Sequence, residues 1–109
     1  MKIENNDFSC IKRGVSLVIF DYYISQYRQD GVIRQLDDAK LNVPIHTCVL
    51  GENHEAIDRF KIRMLPTTIL FHKGKEIDRV ESILNIEKLR HEIFECRGGN
   101  KDGRKWRPR

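Results

Sequence analysis

The side chains of this chain that can act as nucleophiles or metal ligands are Cys10, Cys48 and Cys96 and the histidines His46, His54, His72 and His91. A cysteine reacts as its thiolate, which forms readily only at a helix N-terminus or beside cations. Cys48 falls within an apolar run and reads as core, while Cys10 and Cys96 fall in the first and last helical segments. Cys96 has Arg97 beside it, but a helix C-terminus disfavours an anion. The odd count and wide spacing match no disulfide framework and no zinc pattern. In a reducing compartment the three are expected to be free thiols, two of them buried as small apolar residues. The histidines lie in four different segments and never at the i, i+4 spacing that places two on one helix face. Solvated or capping imidazoles are therefore expected, with no metal site and no cofactor. Asp37 and Asp38 are adjacent and belong to a solvated face, so they are not read as a general acid and base.

A second group of residues suits binding. From Gly98 the chain reads GGNKDGRKWRPR, a composition that argues for a tail without fixed structure. Lys101, Arg104, Lys105, Arg107 and Arg109 surround Trp106. That grouping suits phosphate contacts with the indole stacked on a base, and it equally suits insertion of Trp106 into an apolar pocket of a protein partner. Arg97 and the residues after it contain six basic residues and one acid, a balance of +5, whereas the whole chain carries +4. The body preceding Arg97 is therefore at −1, and the basicity reads as a property of the tail.

The elements that would position these groups follow from periodicity. At 109 residues the chain fits one domain, with 39% apolar residues and a mean hydropathy of −0.55. It is read as a domain over 1–96 and a basic tail over 97–109. No apolar run approaches the roughly 20 residues of a membrane span, and the N-terminus is no signal peptide, so a cytoplasmic protein is expected. Lys2 to Glu4 is read as a short edge strand. Asn5, Asn6 and Asp7 supply capping side chains for a short helix over Phe8 to Lys12, ended by Gly14. Val15 to Tyr22 is a continuous apolar, β-branched run, the pattern of a strand covered on both faces. Val32, Ile33, Leu36 and Ala39 share one helical face. Val43 to Leu50 forms the next strand, and Gly51–Asn53 a turn with a candidate N-cap before the short helix of Ala56, Ile57 and Phe60. Thr67 to Phe71 and Glu76 to Val80, separated by His72–Lys75, read as a hairpin. Asn85 caps a last helix that places Ile86, Leu89, Ile93 and Phe94 on one face.

The string Ile62-Arg63-Met64-Leu65-Pro66-Thr67, followed by Ile69-Leu70-Phe71 and Lys73-Gly74, resembles the second half of a thioredoxin domain, and the resemblance extends over about residues 2 to 95. It implies an α/β thioredoxin fold: a mixed central sheet in β-α-β-α-β-α-β-β-α order with helices on both faces. It further implies a cis Leu65–Pro66 bond facing the site where the family carries Cys-x-x-Cys. Here the corresponding turn is Ile24 to Arg28, with Ser25 in place of the attacking cysteine and Arg28 in place of the resolving one. An alcohol cannot replace a thiolate in disulfide exchange, and no cysteine lies between Cys10 and Cys48. The family's buried acid falls at Ile19, and Asp21 is assigned to the opposite face of the strand. Dithiol oxidoreductase activity is therefore not expected.

What the resemblance leaves is the family's substrate groove: Tyr22, Tyr23, Ile24, Ser25, Tyr27, Arg28, Met64, Leu65 and Pro66. Backbone beside a cis-proline can pair with an extended peptide, and tyrosine and methionine add apolar contact. The leading expectation is a non-redox binding or assembly module for a protein partner. The alternatives are a thiol- or glutathione-linked activity through Ser25 or a lone cysteine, with helix capping as the plain reading of Ser25, and nucleic-acid binding through the tail.

Overall fold

The computed structural model describes residues 2–22, 32–81 and 84–98. Its described elements are β1 (Lys2–Ile3), a single 3-10 turn (Ser9–Ile11), β2 (Val15–Asp21), α1 (Val32–Ala39), β3 (Ile45–Val49), α2 (Glu55–Arg59), β4 (Thr67–His72), β5 (Lys75–Val80) and α3 (Ile86–Cys96). The five strands form one sheet in the order β1-β3-β2-β4-β5. β1, β3 and β2 run parallel, and β4 and β5 add antiparallel strands beyond β2.

Alternation along the strands divides the interior into two cores. On one face Val18 and Phe20 of β2 meet Ile3, Cys48, Leu50, Ile69 and Phe71 beneath the 3-10 turn and α2. Phe60, just past α2, closes this core with its ring centroid 5.0–5.4 Å from those of Phe8, Phe20 and Phe71. On the other face Val15, Leu17, Ile19 and Leu70 meet Leu36 of α1 and Leu89 and Ile93 of α3. β2 is buried at every position, which accounts for its unbroken apolar run.

Several expectations are corrected in detail. The Phe8–Lys12 helix is a single 3-10 turn, and Gly14 follows it with φ +53° rather than ending it. β3 begins at Ile45: the Pro44 carbonyl accepts from Leu17 N at 3.0 Å, but proline has no N–H to give back to the ladder. Asn53 does not cap α2. The cap position is His54, without a side-chain cap, and Asn6 Oδ1 from the N-terminal loop accepts the Glu55 N–H instead. Phe94 leaves the apolar face of α3 and is 56% exposed. Asn85 does cap α3, accepting from Lys88 N at 3.1 Å.

Hydrogen bonds fasten the loops to this frame. Fully buried Asn53 donates from Nδ2 to the Ile3 and Val49 carbonyls and accepts from Asn6 N, joining β1, β3 and the N-terminal loop. Arg79 of β5 donates to the Phe60 and Lys61 carbonyls at 2.6 and 3.1 Å while Glu76 holds its guanidinium at 2.7 Å. The end of α2 is thereby tied to the sheet edge.

Candidate functional site

The site is assembled where β2 ends and β4 begins. Phe20 pairs with Thr67 across the two antiparallel strands, so Asp21 and Tyr22 emerge opposite Pro66 and Leu65. The Leu65–Pro66 peptide bond is cis. Buried Thr67 donates from Oγ1 to the Met64 carbonyl at 2.5 Å and closes the Met64–Thr67 turn. Arg63 Nη2 reaches Glu81 Oε1 at 3.1 Å, which holds the approach to the turn against the end of β5. Pairing of β2 with β3 continues past both strands: Leu50 N donates to Asp21 O, and Gly51 N to Tyr22 O. Backbone on both sides of the site is therefore fixed.

On this frame Tyr22, Met64 and Leu65 are 56, 54 and 46% exposed, half of the six large apolar side chains that reach solvent among the described residues. The arrangement offers an extended segment an apolar contact beside fixed backbone, the chemistry of strand addition. Asp21 is the polar residue that sequence reasoning misplaced. It lies two residues beyond Ile19, and alternation puts both on one face rather than on opposite faces. The residue is 4% exposed, and its Oδ1 accepts from Tyr22 N at 2.7 Å. A lone acid ending an otherwise apolar strand was the available signal. Tyr23, Ile24, Ser25, Tyr27 and Arg28 lie outside the described residues, as do Lys101, Arg104, Lys105, Trp106, Arg107 and Arg109.

The thiols stand apart from this site. Cys48 is fully buried in the first core, and burial pushes its thiol up to about 12. Cys10 and Cys96 are half-buried, not one buried and one exposed, so Cys48 alone is a true core cysteine. Burial raises both of their pKa values; beyond burial, the acids Glu92 and Glu95 raise Cys96 further. All three shifts oppose thiolate formation. His46 is buried with no partner for Nδ1, and burial lowers its pKa. Among the described residues no three His, Cys, Asp or Glu side chains are placed to hold a metal ion. No described helix is long and apolar enough to cross a membrane.

Comparison with solved structures shows a thioredoxin-like fold. A single-site mutant of the thioredoxin from Halobacterium salinarum superposes with a TM-score of 0.64 at 18% identity over 88% of each chain. The thioredoxin of Malassezia sympodialis gives 0.63 at 20% identity, covering 87% of this chain and 88% of its own. That of Fasciola hepatica gives 0.56 at 24% identity, covering 79% of this chain and 84% of its own. The sequence matches no protein-family model and no curated protein.

Proposed function

We propose that this thioredoxin-like fold serves as a non-redox binding module, with the groove between the end of β2 and the Met64–Pro66 turn taking an extended segment of a protein partner. The observation that carries this reading is the exposure of Tyr22, Met64 and Leu65 together beside fixed backbone, in a chain with no cysteine between Cys10 and Cys48. Apolar side chains concentrated at one site mark interaction surfaces. The three thiols present are all shifted away from the reactive form, which supports binding over disulfide exchange.

Selection of a displayed random-peptide library on the immobilised full chain tests the reading. Enriched peptides are expected to lose at least tenfold in affinity to the Met64→Asp variant and to the Leu65→Asp variant, since a charge there must be desolvated on binding. They are expected to bind a variant lacking all three cysteines (Cys10→Ser, Cys48→Ala, Cys96→Ser) as they bind the parent. Dithiothreitol-dependent reduction of insulin disulfides by the parent, lost in that cysteine-free variant, would replace the reading with thiol chemistry.

A further inference from the structure

Strand directions bring a second set of residues together at the other end of the sheet. β2 begins at Val15 and β4 ends opposite it, Val15 pairing with His72. The loop before β2 and the β4–β5 turn are tied by backbone hydrogen bonds, Lys73 N to Gly14 O at 2.8 Å and Gly74 N to Ile11 O at 2.9 Å. Lys73 and Gly74, with φ of +53° and +84°, form the tight two-residue turn that suits a twisted hairpin. On the neighbouring side, α1 runs back to the start of β3, and α3 runs back alongside it. Arg97 Nη2 donates to the Asn42 carbonyl at 2.6 Å, which places the end of α3 on the α1–β3 loop. Four chain segments therefore meet at this pole: 12–14, 40–44, 73–75 and 97–98.

Those segments carry Lys12, Arg13, Lys40, Lys73, Lys75 and Arg97, all exposed, and not one acid. Among the described residues none of the six forms an ion pair with a carboxylate. Their positions in sequence are scattered, and the body of the chain before Arg97 sums to −1; the fold brings six of the fourteen cations among the described residues to one end, bordered by Asp37, Asp38 and Glu76.

We infer that this pole is a binding surface for the phosphate backbone of a single-stranded nucleic acid. Six cations on four separate chain segments are spread along a surface rather than converging on a point, which suits a ligand with repeated charge. Of the exposed large apolar residues, Tyr22, Met64 and Leu65 lie at the opposite end of β2, whereas Phe94, one turn before Arg97, borders a pocket lined also by Leu41 and Arg97 and offers a flat face on which a base can stack. One exposed aromatic ring beside six cations is the combination that suits a single strand, stacking for a base and charge for the phosphates, with affinity carried largely by counterion release.

The test is fluorescence anisotropy of a labelled oligothymidylate of about 20 nucleotides, titrated with the full chain between about 50 and 200 mM salt. Lys12→Gln with Arg13→Gln, and separately Lys73→Gln with Lys75→Gln, are each expected to weaken binding at least fivefold at low salt. Each pair should also flatten the plot of log affinity against log salt by about 1.4, the share of two phosphate contacts on a single strand. Lys61→Gln with Arg63→Gln removes the same charge at the opposite end and is expected to leave binding within twofold. Poly-L-glutamate is expected to displace the oligonucleotide only at a tenfold or greater excess of charge. The inference is overturned by absence of binding, by parental affinity in both loop variants, by equal weakening in the Lys61 and Arg63 variant, or by poly-L-glutamate competing at equal charge, which would assign the pole to acidic proteins. Circular dichroism of each loop variant is expected to match the parent, because the four exchanged side chains make no ion pair that the fold depends on.

Discussion

Asn53 shows how one polar side chain can organise a region that its sequence position does not advertise. In sequence it sits where a helix cap belongs, directly before an amphipathic segment. In the structure its amide is fully buried and makes three hydrogen bonds to Ile3, Val49 and Asn6, while Asn6 takes over the capping of α2. Asn53→Ala removes these bonds and leaves two carbonyls and one N–H in a desolvated site. Net hydrogen bonds of about 1 kcal/mol each, with the added cost of orphaned groups, predict a loss of about 2–4 kcal/mol in urea unfolding. A loss under about 0.5 kcal/mol would mean that water enters and replaces the amide. Cys48 was legible by contrast, since an apolar run of strand length leaves little choice but burial. Its thiol, held up near 12 by burial, is expected to resist iodoacetamide in the native protein and to react on addition of denaturant, after Cys10 and Cys96. Mass-spectrometric counting of alkylated sites over time checks the order.

Among the elements, α3 packs through Leu89 and Ile93 onto the core of β2 and β4 and is fastened to β5 by charge. Asp78 points from β5 toward the helix, where Lys88 Nζ approaches Oδ2 at 3.3 Å. That contact meets the distance of an ion pair without the alignment of a hydrogen bond, so Oδ2 stays under-satisfied. Glu92 lies one turn on from Lys88. Burial first, then hydrogen bonding to and repulsion by Asp78, push its carboxyl up to about 7, against the pull of Lys88 and with Glu95 adding to the rise. A carboxyl with a raised folded-state pKa stabilises the fold in its protonated form. That contribution is complete below pH 4.5, the ordinary value, and is lost as pH rises through about 7. Urea midpoints should therefore fall between those pH values, and Glu92→Gln should flatten the decline; an unchanged slope in Glu92→Gln would place the titrating group elsewhere. The helix itself was legible from its cap at Asn85 and its apolar spacing. The pairing of Asp78 with Glu92 was not, because it depends on which residue of β5 faces inward, and a register shift between Leu70 and Phe71 resets that alternation.

At the scale of the whole molecule, element order was legible because β2, β3, β4, α1 and α3 bury patterned apolar residues, and a parallel β2–β3 pair with an added hairpin leaves few arrangements. Charge segregation was not legible, since net charge is summed along the chain whereas potential is summed through space. The fold puts the Tyr22–Pro66 groove and the cationic pole at opposite ends of β2. Seven residues of strand separate them, about 20 Å, twice the distance over which salt screens exposed charges. Between them lie fully buried Leu17, in one core, and Val18 and Phe20, in the other, and such close-packed strands have no second arrangement to adopt. The two surfaces are thus expected to act independently. Calorimetric titration of a library-selected groove peptide should give the same affinity, within twofold, with and without saturating oligonucleotide, and by reciprocity the oligonucleotide affinity should ignore the peptide. A shift beyond about fivefold in either titration, roughly 1 kcal/mol of coupling, would mean that an element contacting both ends moves on binding. α3 would then be the first place to look, because its start follows β5 near Glu81 and its end carries Arg97 at the pole.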